Sequence, residues 1–111
     1  MNEVQTLRAV IFEELESLKA DLVKAAKRWK RFCPWTYKIF WSSAKRLGRI
    51  ITYRIDDKTI KATLEEIGNA LALHGATAIF TDARNEALAF SKRVFSLLPR
   101  GTVVQLKLFP N

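Results

Sequence analysis

Residues 49–55 read RIITYRI, and the predicted fold class depends on this stretch. Isoleucine, threonine and tyrosine favour β-strands, and alternation along a strand would place Ile50 on one face and Ile51 and Tyr53 on the other. A strand that is apolar on both faces is typical of the centre of a buried parallel sheet. The pattern therefore predicts a central strand directly after Gly48.

The chain before this stretch has the periodicity of helices. Apolar residues recur at steps of three and four over residues 4–33 without an intervening Gly or Pro, which predicts one long amphipathic helix. Pro34 ends or kinks that helix, because proline disfavours the α conformation at the residue before it. A second helix is predicted from Pro34 to Leu47, with Gly48 as its left-handed stop.

The chain after this stretch alternates between segments with helical spacing of apolar residues and segments with the spacing of strands. Asp56-Asp57 opens a turn and a helix cap, and the helix that follows ends near His74-Gly75. A short strand over 76–80, a second crossover helix that Thr81 or Asp82 caps and that extends to Leu97, and an edge strand over 102–109 complete the pattern. In the edge strand, Gln105 and Lys107 are expected on the exposed face.

Together these elements predict one α/β domain, bordering on α+β, that spans residues 1–111. A long-helix hairpin (1–48) forms an arm, and a βαβαβ unit (49–111) forms the body. Helical crossovers between strands favour parallel neighbours, so the expected sheet is three-stranded, mainly parallel and ordered 2-1-3. Ile51 and Ile55 are expected to be almost fully buried at its centre.

The length of the N-terminal helix suggests a second copy. About thirty residues at ~1.5 Å each reach ~45 Å, whereas a body of this size is roughly 35 Å across. The helix is therefore expected to bend, to project, or to pack on another chain. A homo-oligomer, most simply a homodimer through the N-terminal helix, is the partner that this argument favours.

Charge is the other outstanding property of the chain. The net charge is +8 and the pI about 10.0. Residues 22–55 hold ten of the bases, no acid, all three Trp and both Tyr. Cations interleaved with flat rings suit a polyanion that offers faces to stack on, or an anionic membrane surface.

The candidate nucleic-acid-binding residues come from this segment. Four bases at positions i, i+3, i+4 and i+7 form a ridge opposite the apolar stripe of the first helix, and Trp35 lies with cations on the polar face of the second helix. Trp29, Phe40 and Trp41 fall on apolar faces and are assigned to the core. The full candidate set is Lys24, Lys27, Arg28, Arg31, Trp35, Lys38, Lys45, Arg46 and Arg49.

Three functions compete for this pattern. The favoured hypothesis is a small basic protein, not an enzyme, that binds DNA or RNA through the basic helical face. The first alternative is a protein-interaction or oligomerisation module whose basic face only confers solubility. The second is peripheral binding to an anionic membrane through the Trp-rich second helix.

Catalytic, metal and cofactor sites are not predicted. His74 and the Asp56-Asp57 pair are interpreted as helix caps, and Cys33 as a small apolar residue at the C-terminal end of a helix, where a thiolate is disfavoured. One cysteine excludes an internal disulfide. The sequence predicts no signal peptide and no transmembrane segment, so a cytoplasmic location is expected.

Overall fold

The computed structural model describes the backbone of residues 3–98 and the side chains of residues 10–98, and this part of the chain forms four helices. They are α1 (Glu3–Trp29), α2 (Pro34–Tyr53), α3 (Asp57–Thr77) and α4 (Thr81–Ser96). Each helix packs on its neighbours in the chain, and α4 also contacts α1. With short connections between them, the helices form an up-down-up-down bundle.

The predicted α/β fold is wrong, because residues 3–98 contain no strand. The decisive stretch continues α2, which ends at Tyr53 with Arg54 as a left-handed cap at φ 44°. The cap N–H bonds to the Ile50 carbonyl at 3.0 Å. Core positions run through Gly48 at helical spacing: Thr36, Phe40, Ser43, Ala44, Leu47 and Ile50.

Burial on one helical face therefore overrides the β propensity of these residues. Ile50 is 1% exposed, whereas Ile51 and Ile55 are half-buried and do not form the predicted sheet centre. A parallel sheet with strand order 2-1-3 cannot form from a segment that is helical.

The second predicted strand is also wrong. Its first two residues belong to α3, and residues 78–80 form an extended linker to α4. The predicted edge strand over 102–109, with Gln105 and Lys107, lies outside the described residues. The predicted body over 49–111 is not a βαβαβ unit, because residues 49–98 contain no strand. The N-terminal hairpin packs on the C-terminal helices, through α2 on α3 and α1 on α4.

The helical hairpin is present with different bounds. α1 ends at Trp29, residues 30–33 make the turn, and Pro34 is the first residue of α2, where a missing N–H has no cost. The chain's own helices bury Leu15, Leu18 and Leu22 of α1 to 1% exposure or less. This part of the stripe needs no second copy to cover it, and the homo-oligomer stays a prediction.

Two glycines, Gly68 and Gly75, are packing residues in α3. A β-carbon on Gly75 would lie 2.7 Å from Leu88 Cγ, and one on Gly68 would lie 2.5 Å from the Phe95 ring. The Ser91 hydroxyl donates to the Gly68 carbonyl at 3.0 Å. α3 and α4 are thus held at close range by small residues, and α3 ends at Thr77, two residues beyond the end predicted near His74-Gly75.

None of the described helices combines the length and the apolar character needed to cross a bilayer.

Candidate nucleic-acid interface

The predicted basic ridge of α1 is only partly available. Lys24 and Lys27 are exposed on the side of the helix opposite Leu22 and Ala25, and Arg31 is exposed in the turn that follows. No carboxylate among the described residues pairs with these three cations. They form a positive outer surface on α1.

Arg28, the fourth member of the ridge, faces α4 instead. Its guanidinium forms an ion pair with Glu86, and the Trp29 indole N–H donates to the same carboxylate. Arg28 therefore helps to join α1 to α4. The cation is neutralised and less suited to contact phosphate than its neighbours.

The candidate residues of α2 divide between two edges of that helix. Lys45 and Arg49 are exposed on its outer side, away from the core. Arg46 is half-buried and pairs with Glu66 of α3. Trp35 is 72% exposed, with the Lys38 ammonium 5.2 Å from its ring centroid. The exposure agrees with the sequence analysis, while a role of Trp35 in binding stays a prediction.

Between the outer sides of α1 and α2 runs a groove of about 400 Å³. It is called the α1–α2 groove below. Three of the residues that line the groove are cationic, and no lining residue is acidic. The lining consists of Lys19, Val23, Trp41, Ala44, Lys45, Gly48, Arg49, Thr52 and Tyr53.

The groove also presents aromatic rings. Trp41 is 39% exposed and Tyr53 is 73% exposed. Tyr37 stacks on Trp41 with ring centroids 6.4 Å apart and planes at 16°, and the Lys30 ammonium lies 5.6 Å from the Tyr37 centroid. Cations and rings therefore continue along α2 toward the α1–α2 turn.

Gly48 shapes the floor of the groove. A β-carbon at this position would lie 3.3 Å from Cε and Nζ of Lys19, so the lysine side chain crosses directly over the α2 backbone. The missing side chain lets the Lys19 ammonium lie in the groove beside Lys45 and Arg49. Three like charges with no carboxylate partner among residues 10–98 favour an anionic ligand.

A larger depression of about 580 Å³ lies between α1 and α4. Its lining includes Asp82 and Glu86 as well as Arg28. Two carboxylates disfavour the binding of a polyanion in this depression. The α1–α2 groove is therefore the better candidate interface, although it is smaller.

Three residues that line the groove, Lys19, Trp41 and Tyr53, are not in the candidate set from the sequence. The sequence predicts Trp41 in the core, but only its neighbour Phe40 is fully buried, at 0% exposure. The signal was present: positions 41, 45, 49 and 52 repeat at steps of three and four on one helical face. It was hidden because α2 was expected to stop at Gly48.

Cys33, Thr36 and His74 form a small polar cluster where α2 begins. Cys33 occupies the N-cap position of α2 without a side-chain cap bond of ordinary geometry, and the nearby Thr36 hydroxyl and amide, which stabilise the thiolate, lower the pKa of its thiol. The expected position at a helix C-terminus is therefore wrong. Thr36 Oγ1 also lies 2.9 Å from His74 Nε2, and burial lowers the pKa of this imidazole.

Asp56 is the N-cap of α3, as the sequence predicted. Its carboxylate accepts from the Thr59 amide at 3.2 Å and from the Thr59 hydroxyl at 2.7 Å, and these bonds lower the pKa of Asp56. Within residues 10–98, no three His, Cys, Asp or Glu side chains are grouped so that they could hold a metal ion.

Comparisons with protein families, curated proteins and solved structures gave no significant match to this chain.

Proposed function

We propose that this protein binds nucleic acid through the outer surface of α1 and α2, with single strands preferred over duplex. The α1–α2 groove carries the proposal, because it joins Lys19, Lys45 and Arg49 to the exposed rings of Trp41 and Tyr53. Positive grooves that also offer stacking platforms are the common solution for binding single strands.

The cations supply the affinity. Lys24 and Lys27 extend the charge of the groove along α1, and the eight residue steps from Lys19 to Lys27 span ~12 Å. Lysines and arginines without carboxylate partners release condensed counterions when they meet phosphates. Binding of this kind depends steeply on salt and weakly on sequence.

The rings supply the preference for single strands. A paired base in a duplex has both faces stacked and cannot lie flat on a side chain, whereas an unpaired base can. The face of Trp41 that is not covered by Tyr37 is available to the groove, and Tyr53 lies farther along the same helix. Stacking on such a ring is worth ~1–3 kcal/mol per base.

The test is a fluorescence-anisotropy titration with labelled oligothymidine and with a duplex of equal length. Lys45→Glu/Arg49→Glu should weaken binding of both ligands at least ten-fold. The matched control is Lys61→Glu/Lys92→Glu, which reverses two exposed lysines on α3 and α4 and should weaken binding much less. Equal losses in the two double variants would show that net charge matters and the groove does not.

The aromatic part is tested separately. Trp41→Ala should weaken binding of the single strand by ~1–3 kcal/mol and leave duplex binding nearly unchanged. Trp35→Ala is the matched control, since this ring is exposed but does not line the groove. A larger loss of single-strand affinity in Trp35→Ala than in Trp41→Ala would show that Trp35, the residue predicted from the sequence, stacks on the bases. Absence of binding to either ligand at micromolar protein would end the proposal.

A further inference from the structure

One end of the bundle holds half of the large hydrophobic side chains that are exposed among the described residues. Residues 10–98 contain eight large hydrophobic side chains that are exposed, and four of them lie where α1 turns into α2 and where α3 meets α4. These four are called the apolar tip below. They are Phe32 at 68% exposure, Trp35 at 72%, Ile79 at 93% and Phe80 at 48%.

Trp29 joins the two connections into one surface. Its ring centroid lies 6.3 Å from that of Phe32 in the α1–α2 turn and 6.1 Å from that of Phe80 in the α3–α4 linker. The two connections therefore lie side by side. Ile79 precedes Phe80 and is almost fully exposed, so it protrudes from the end of the bundle.

Cations surround the apolar tip. Five exposed cations lie in the α1–α2 turn and in the adjoining turns of three helices. They are Lys30 and Arg31 in the turn, Lys27 in α1, Lys38 in α2 and Arg84 in α4. Two carboxylates, Asp82 and Glu86, lie in the same region, and Arg28 neutralises Glu86. Because five cations face one remaining carboxylate, the surroundings of the tip are strongly positive.

We infer that the apolar tip docks the bundle end-on onto an anionic phospholipid surface. Phe32, Ile79 and Phe80 enter the boundary between headgroups and acyl chains, and the Trp35 indole lies at headgroup level, where tryptophan is enriched. The surrounding lysines and arginines meet lipid phosphates. Apolar side chains within a basic rim are the combination that binds peripheral proteins to acidic membranes.

A lipid surface fits this tip better than a nucleic acid does. Ile79 has no ring on which a base could stack, yet it is more exposed than the other large hydrophobic side chains described. The tip also protrudes from two adjacent connections, and a fluid bilayer can accommodate a protruding shape without a complementary pocket. The apolar part of the inference is independent of the α1–α2 groove, because none of the four tip residues lines it. Lys27 of the cationic rim also belongs to the proposed nucleic-acid surface of α1.

The experiment is co-flotation of the full chain with vesicles of phosphatidylcholine alone or mixed 3:1 with phosphatidylglycerol. The wild type should float with the anionic vesicles and stay behind with the neutral ones. Phe32→Ser/Ile79→Ser should reduce flotation at least ten-fold while leaving oligonucleotide binding unchanged. Both side chains are largely exposed, so the helical circular dichroism of the variant should match the wild type.

A matched pair of single variants tests position. Ile79→Ser should reduce flotation at least three-fold, whereas Val10→Ser, which removes an aliphatic side chain that is 50% exposed near the opposite end of α1, should leave it unchanged. Tryptophan emission should shift to the blue on anionic vesicles, and Trp35→Phe should remove most of that shift. Flotation of the tip variant at the wild-type level, or no flotation of the wild type, overturns the inference. A wild-type dimer that the tip variant converts to monomer would replace the lipid with a second copy of this chain.

Discussion

Gly75 of α3 packs so closely on Leu88 of α4 that a β-carbon on the glycine would lie 2.7 Å from the leucine Cγ. The carbonyl oxygen of Arg84 would lie 3.1 Å from the same β-carbon, and a backbone atom cannot move aside by a rotamer change. Gly48 of α2 differs, because its neighbour is the flexible end of Lys19. Two glycines in helix interiors are thus expected to respond in opposite ways to the same substitution.

Gly75→Ala should lower the free energy of unfolding by ~1–3 kcal/mol through overpacking. Gly48→Ala should raise it by up to ~1 kcal/mol, because alanine has the higher helix propensity and Lys19 can shift. Urea unfolding followed by circular dichroism measures both. If Gly75→Ala proved as stable as Gly48→Ala, α3 and α4 would be farther apart than described.

The His74 imidazole should make stability pH-dependent near neutrality. Burial lowers its folded-state pKa, so the unfolded chain, with a pKa of about 6.5, binds more protons in the window below that value. The contribution is fully present above pH ~6.5 and is lost as pH falls from there toward the lowered folded-state pKa. Unfolding midpoints between pH 7 and 5 should therefore fall for the wild type. His74→Gln should remove this fall in the unfolding midpoint. If the midpoint of the variant still fell between pH 7 and 5 as in the wild type, a group other than His74 would be responsible.

The Cys33 thiol should react with alkylating reagents at lower pH than an ordinary cysteine. The Thr36 hydroxyl and amide lower its pKa, so Thr36→Val, which removes the hydroxyl and keeps the amide, should shift the pH profile of iodoacetamide modification upward. Ser43→Ala, which truncates another buried polar side chain of α2, serves as the control and should leave the profile in place. Coinciding profiles for wild type and Thr36→Val would exclude the hydroxyl as the cause.

Leu18→Lys should abolish cooperative unfolding, since Leu18 is 1% exposed within a single chain and an unpaired charge at that site has a large desolvation cost. Val10→Lys, at a half-exposed position of the same helix, should be close to neutral. The effect of Leu18→Lys should not depend on protein concentration. A wild type whose thermal midpoint rises with concentration would instead point to the homo-oligomer that the helix length suggested.

Salt dependence should identify the phosphate contacts in the α1–α2 groove. On single strands each contact contributes about −0.7 to the slope of log K against log salt. Lys45→Ala/Arg49→Ala should therefore make the slope shallower by ~1.4. Arg28→Ala should leave the slope nearly unchanged and lower stability instead, because Arg28 pairs with Glu86. A slope that responds to Arg28 and not to the groove pair would place the phosphates on the α4 side of α1.

Composition and periodicity determined several properties of this protein. The stripe containing Leu15, Leu18 and Leu22 specified α1, Pro34 specified the break before α2, and Asp56-Asp57 specified the cap of α3. The acid-free segment over 22–55 also drew attention to α1 and α2. All of these are local signals, in which a residue acts on neighbours within one or two helical turns.

Only the tertiary structure decided the fold class and the composition of the candidate interface. Residues 49–55 satisfy a strand pattern and the end of a helical stripe equally well, and packing against the other helices selected the helix by burying Ile50. Partners distant in the chain likewise decided which cations are free. Glu86 and Glu66 neutralise Arg28 and Arg46, while Lys19 joins Lys45 across a groove that exists only when two helices pack. Spacing within one helix cannot specify such contacts, because they depend on which faces of different helices meet.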